Sequence, residues 1–223
     1  MKKIYYFAYG SNMDIFRMFN RCEDTEIVGV GYIKDYKLSF RKNSSKTGVA
    51  NIEECKGNKL MGVIYKVSIK GMLSLDGFEG HPRVYKRTDI VMYDEKTNEK
   101  YNGMTYIKNG GEIKLPSDKY LGHLLDGCRQ FGIDTWYIED VVDEIDIIEK
   151  KKKEEDDKEL NNKGSKKGSR NPEYNVDYEE EEVFDEGEYL DDYEARLDYG
   201  QFGVYSHKER EDMLKKLRRK EKC

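Results

Sequence analysis

The chain is poor in the residues that punctuate a backbone or bind metals. Of 223 residues, three are proline, three are histidine and one is tryptophan. The four cysteines, Cys22, Cys55, Cys128 and Cys223, stand far apart with no CxxC pair. Neither they nor His81, His123 and His207 show the ligand spacing of a zinc site. Scattered free thiols suit a reducing, cytoplasmic setting. No apolar run approaches the roughly 18 residues of a membrane span. The basic Met1-Lys2-Lys3 and apolar Ile4–Tyr9 imitate the start of a signal peptide, but the apolar stretch is too short for one.

What is abundant is charge, and it is unevenly placed. Residues 151–223 hold 17 Lys and Arg against 22 Asp and Glu, so the whole net charge of -5 sits there and the first 150 residues are neutral. A neutral front lacks the basic footprint of a nucleic-acid binder. The two parts read as a compact unit, residues 1–150, and a charged tail, residues 151–223.

The front is a succession of short β-branched and aromatic runs separated by turn residues. Ile4–Tyr9, Glu26–Ile33, Lys37–Arg41, Val49–Ile52, Leu60–Val67, Val84–Tyr93 and Tyr101–Ile107 are the predicted strands, and so many at short spacing suggest a closed or nearly closed sheet. Helical patterns interrupt them at Asn12–Phe19, at Ser68–Gly77 with Ser68 as cap and Gly77 as stop, and at Ser117–Phe131 with Ser117 and Gly132 at its ends. A last amphipathic stretch, Asp134–Ile148, sets Trp136, Val141, Ile145 and Ile148 on or near one face.

Beyond it, Lys150–Arg170 has a single leucine and reads as a disordered linker, unable to offset its ordering entropy by burial. Pro172–Tyr199 is acidic with spaced aromatics, a docking segment for a protein partner, and Ser206-His207-Lys208-Glu209 has the pattern of a capping box opening a short C-terminal helix.

Two segments carry candidate chemistry. In Tyr6-Phe7-Ala8-Tyr9-Gly10-Ser11-Asn12 a strand runs through glycine into a helix start, where backbone N–H groups can receive an anionic or polarised oxygen. Gly10 would serve a close approach or a positive φ. In Phe78-Glu79-Gly80-His81-Pro82-Arg83-Val84-Tyr85 a glutamate stands among apolar neighbours, which would raise its pKa toward that of a general base. Taken singly, the first is a strand–turn–helix corner and the second a loop glutamate.

Together, and in this order with Asp35–Phe40, Gly48–Ile52, Gly62–Tyr65, Leu75-Asp76 and Pro116-Ser117 with Tyr120 between and after them, they resemble the γ-glutamylcyclotransferase and AIG2-like family over residues 3–138. The resemblance implies an α+β fold, a small mixed β-barrel flanked by helices. It implies an enzyme without cofactor or metal that cyclises a small γ-glutamyl amide to 5-oxoproline and releases the amine. Glutathione metabolism is the setting it suggests. It makes Glu79 the acid/base and gives Tyr6, Phe7, Ala8, Tyr9, Gly10, Ser11, Asn12 and Tyr120 to the substrate, with Tyr85 as a further lining residue. Gly77-Phe78 and His81-Pro82-Arg83 are more similar to the AIG2-like and γ-glutamylamine branches.

Arg87, two residues after Tyr85 in a strand and so on the same face, is a candidate for a substrate carboxylate or a solvated side chain. Ser11 has no histidine to make it a nucleophile. The competing readings are an interaction protein on the same fold, and an enzyme regulated by its tail. Nucleic-acid binding through Lys215–Lys222 is opposed by the acidic block before it.

Overall fold

A computed structural model describes residues 3–164. The described chain forms five strands and four α-helices: β1 Lys3–Ala8, a 3-10 turn Ser11–Met13, α1 Ile15–Arg21, β2 Glu26–Lys42, β3 Gly48–Ser68, α2 Ile69–Phe78, β4 Tyr85–Asp94, β5 Lys100–Lys108, α3 Asp118–Phe131 and α4 Trp136–Gly164. The strands close into a barrel in the order β1-β3-β2-β4-β5. All neighbours are antiparallel except the closing pair, where Tyr5 and Tyr6 of β1 run parallel to Gly103 and Met104 of β5. At that seam a Cβ on Gly103 would lie 2.3 Å from the Tyr5 carbonyl oxygen, so closure requires glycine there. The expected small mixed barrel is what forms.

The seven expected strands become five because two apparent breaks are not breaks. Asp35 takes a positive φ of 64° and the β2–β3 register shifts between Lys34 and Tyr36. The residues read as turns are a bulge in one long hairpin, and a bulge lets a ladder bend without ending. Phe7, Phe40, Ile33, Ile64, Tyr65 and Met92 of the strands are fully buried.

The helical expectations fare differently one by one. Ser68 caps α2, its side chain accepting from the Gly71 N–H, but the helix passes Gly77 and ends at Phe78 with Glu79 as its C-cap. Ser117 caps α3 and Gly132 ends it in the left-handed region at φ 67°. The expected Asn12–Phe19 helix is split: the 3-10 turn comes first, and Asp14 then caps α1 by accepting from the Phe16 N–H.

The α4 helix departs most. It buries Ile138 and Ile145, while Trp136 and Ile148 are 63% and 46% exposed. Trp136 is the first helical residue, before the face that docks has come round. Glu149 ties α4 down, accepting from Lys114 Nζ at 2.9 Å and from the Leu115 N–H at 2.8 Å. The expected linker is helical as far as Gly164, a correction: a run of Lys and Glu with high helix propensity extends a helix already nucleated by packing. The docking segment Pro172–Tyr199 and the C-terminal capping box lie outside the described residues.

Candidate active site

At one mouth of the barrel, four elements bring polar side chains together around a single carboxylate. β1 supplies Tyr6, the 3-10 turn Asn12, the last residue of α1 Arg21, and the end of α2 Glu79. The Asn12 amide nitrogen donates to the Tyr6 hydroxyl at 2.8 Å and to Glu79 Oε1 at 3.0 Å. Arg21 Nη1 donates to Asn12 Oδ1 at 2.9 Å and to the same Glu79 Oε1 at 3.0 Å. The Arg21 and Glu79 side chains are 7% and 14% exposed. The Phe78 ring stacks under the Arg21 guanidinium, 5.1 Å from centroid to carbon. The expected apolar surrounding of Glu79 is therefore only part of its environment: a cation and an amide donor favour the carboxylate, against the desolvation that disfavours it.

Around Glu79 stand Tyr6, Tyr9, Gly10, Ser11, Tyr85 and Tyr120, with Tyr106 and Ala50. The structure thus brings together nearly all the residues singled out in the sequence. Phe7 and Ala8 are not among these lining residues: Phe7 is fully buried and Ala8 is 1% exposed.

Gly10 has φ −119°, so its role is not a positive φ. A Cβ there would stand 3.0 Å from Ala50 Cβ and 3.6 Å from the Tyr120 hydroxyl, which makes it a place of close approach. Ser11 and Asn12, both buried, open the 3-10 turn, where the leading N–H groups have no partner inside the helix.

The tyrosines are held by the backbone. Tyr120 of α3 accepts from the Ala50 N–H at 2.9 Å, and Tyr85 of β4 donates to the Ala50 carbonyl at 3.0 Å. Tyr9 donates to the Tyr106 carbonyl at 2.5 Å. Burial first, and the Glu79 carboxylate second, push the Tyr6 and Tyr9 hydroxyls above the ordinary tyrosine range. Both stay neutral phenols at physiological pH.

Arg87 does not reach the mouth. Its Nε lies 3.2 Å from Asp76 Oδ1, and Asp76 also accepts from Tyr106 at 2.7 Å. It is committed to a pair behind the site. Sequence reasoning missed Arg21, which carries no motif of its own and is joined to Glu79 only by folding. It also missed Tyr106. The sole sequence signal for Arg21 is its place at the end of the helix that follows the Gly-Ser-Asn turn.

A closed barrel with a largely buried carboxylate, an arginine and tyrosines around one cleft has the features of a small-molecule pocket. The family model described as gamma-glutamyl cyclotransferase, AIG2-like, matches residues 6–122. The chain belongs to that family. It is 28% identical to human gamma-glutamylcyclotransferase over 141 residues, spanning 60% of this chain and 74% of the relative. The Bos taurus gamma-glutamylcyclotransferase is also 28% identical, over 139 residues, 59% of this chain and 73% of the relative. A solved gamma-glutamyl cyclotransferase structure superimposes with a TM-score of 0.58 at 25% identity, covering 63% of this chain and 86% of that one. A crystal structure of an uncharacterised human protein gives 0.58 at 26%, covering 63% and 87%. Relatives so named support an enzyme of this family. No helix among the described residues is long and apolar enough to cross a membrane.

Proposed function

We propose that the protein cyclises γ-glutamyl amides to 5-oxoproline, with Glu79 as the acid/base. The supporting observation is the placement of Glu79, whose Oε1 is held by Asn12 and Arg21 at the mouth lined by Tyr9–Asn12 and Tyr120. The substrate's α-amine, in its neutral form, attacks its own γ-carbonyl carbon, forming the ring C–N bond. Glu79 takes a proton from the attacking nitrogen and returns it to the leaving nitrogen as the original amide C–N bond breaks. Such acid/base transfer contributes about 10²–10⁴-fold.

The developing oxyanion is received by backbone N–H groups of the Tyr9–Asn12 segment. Nucleophile and electrophile belong to one molecule, so the enzyme gains chiefly by folding the substrate into a near-attack geometry. A neutral phenol such as Tyr6 can donate to substrate oxygen without competing for the proton. The catalytic unit on this reading is residues 1–150.

The experiment is mass-spectrometric detection of 5-oxoproline from γ-glutamyl amino acids, γ-glutamyl amines and glutathione. Wild type forms it and Glu79→Gln does not. Equal turnover by the variant removes Glu79 from the reaction. No product from any compound removes the reaction itself.

A further inference from the structure

Leu75-Asp76 belongs to the sequence pattern, yet the chemistry above makes no use of it, and Asp76 stands where a helix disfavours an acid. It lies in the last turn of α2, three residues before Glu79, in a turn without a basic residue. A carboxylate there meets the negative end of the helix dipole, and like charges three apart share a face. The fold answers with two arginines from different elements. Arg21 of α1 bonds Glu79, and Arg87 of β4 brings its Nε to 3.2 Å from Asp76 Oδ1.

Arg87 is the cross-strand partner of Tyr106 on β5, so the two side chains stand side by side on one face. Both grip α2 at the same two places. Arg87 Nη1 donates to Met72 Sδ at 2.9 Å besides pairing with Asp76. The Tyr106 hydroxyl donates to Asp76 Oδ1 at 2.7 Å, with the Met72 carbonyl oxygen 3.4 Å away. Met72 and Asp76 are one turn apart on the helix, and two contacts one turn apart fix its rotation about its axis. The Asp76 carbonyl also accepts from the His81 N–H at 2.9 Å, closing the turn that carries Glu79. The described lining of the cleft has Arg17 and Lys108 at its outer rim and includes Glu79 and Tyr106, but neither Met72 nor Asp76.

We infer that Asp76 is a positioning residue for Glu79: clamped by Arg87 and Tyr106, it sets the rotation of α2 and so the point where Glu79 meets Arg21 and Asn12. Its effect on rate rests on the cyclising reaction above, whereas its placement rests on the fold alone. The same clamp assigns Tyr106. Burial first, and the bond to Asp76 second, push that hydroxyl above the ordinary tyrosine range. Its proton is given to Asp76, so Tyr106 serves the cleft as a wall and α2 as a fastener, not as an acid toward substrate.

The test compares Asp76→Leu, Asp76→Asn and Tyr106→Phe in the full-length chain, at a temperature where circular dichroism shows each fully folded. Lost stability then does not enter the rate. Asp76→Leu removes both bonds and should lower kcat for 5-oxoproline formation about ten- to a hundredfold, the size of a misplaced catalytic group. KM should change by less than about threefold, since Asp76 does not touch the substrate. Asp76→Asn keeps an oxygen for the Tyr106 hydroxyl and should regain part of the loss. Tyr106→Phe should cost less in the Asp76→Leu background than in wild type, because the two share one bond. A crystal structure of Asp76→Leu should show Glu79 Oε1 moved away from Arg21 Nη1 and Asn12 Nδ2. Should Asp76→Leu fail to fold, Tyr106→Phe, which removes a single oxygen, carries the same kinetic and crystallographic comparison.

Wild-type kcat in folded Asp76→Leu overturns the positioning role and leaves Asp76 purely structural. A raised KM with kcat unchanged overturns it too, since Asp76 then acts on substrate binding. Additive effects of the two substitutions overturn the shared clamp. The crystal structure decides independently of turnover. Glu79 contacts kept at 3.0 Å overturn the role, whereas a wild type that forms no 5-oxoproline removes the cyclising reaction and leaves the placement to be decided by the displacement of Glu79.

Discussion

Arg21 Nη1 lies 3.0 Å from Glu79 Oε1, joining the last residue of α1 to the residue that caps α2. The same nitrogen donates to Asn12 Oδ1, so one guanidinium orients both the carboxylate and the amide that also holds it. Both side chains are largely withdrawn from water. Removing one partner leaves the other charge uncompensated. Arg21→Met is expected to lower stability by roughly 3 kcal/mol and to remove most turnover. Combining it with Glu79→Gln should restore part of the stability and none of the activity, a non-additivity read from urea denaturation of the two single variants and the double.

Gly127 makes the contact of α3 with the turn that carries Asn12. A Cβ there would lie 2.6 Å from Met13 Cβ and 2.7 Å from the Asp14 nitrogen. These are backbone and near-backbone atoms with no room to yield. Gly127→Ala should push α3, and Tyr120 with it, away from the mouth. The expected result is a loss of about 1–3 kcal/mol, typical of overpacking, with a fall in kcat/KM larger than Ala would cause at Gly122, where a Cβ would meet nothing within 4 Å. Parallel denaturation and kinetic measurements on the two variants check this.

Asp14 makes the fold sensitive to acid. Burial alone would raise its pKa, but hydrogen bonds from His123, Gln130 and the Phe16 N–H, with the charge attraction of His123, bring it below the ordinary aspartate range. A carboxyl whose folded pKa lies below its unfolded one contributes stability above the unfolded value. That contribution is lost as pH falls through the folded value. Asp14→Asn should therefore be less stable than wild type at pH 7. The gap should narrow steadily below about pH 4, as wild type loses the same contribution. Thermal melts between pH 7 and pH 2.5 would show it, and a gap independent of pH would contradict it.

Among the described residues, those placed in the cleft lie between Tyr6 and Tyr120, and Glu149 helps to anchor α4. A chain ending at Gly164 should melt within a few degrees of the full chain and form 5-oxoproline at the same rate. A markedly slower or faster rate would make residues 165–223 part of the working enzyme, as a tail acting on the cleft requires.

The barrel was legible in the chain because its signals are local. Alternating β-branched and aromatic runs, Ser68 and Ser117 before helical periods, and Gly132 after one each act within a few residues. The merging of seven runs into five strands was not legible, since the Asp35 bulge and the true turn at residues 43–47 use the same kinds of residue. Nor was the extension of α4 to Gly164, because low hydrophobicity argues against burial without arguing against a helix.

The site divides in the same way. Glu79 and the Tyr9–Asn12 turn stand out through motifs that keep their order and spacing along the chain, and Tyr85 and Tyr120 follow from their neighbourhoods. Phe7 and Ala8 were carried along by adjacency, and both are buried outside the lining. Arg21, Arg17 and Lys108 have no motif at all. The sequence by itself determined the family, the class of fold and the carboxylate. Only the tertiary structure decided which cations meet that carboxylate and which border the opening. Pairing Arg21 with Glu79 across 58 residues of chain depends on strand register and helix phase, and those are settled together when the barrel closes.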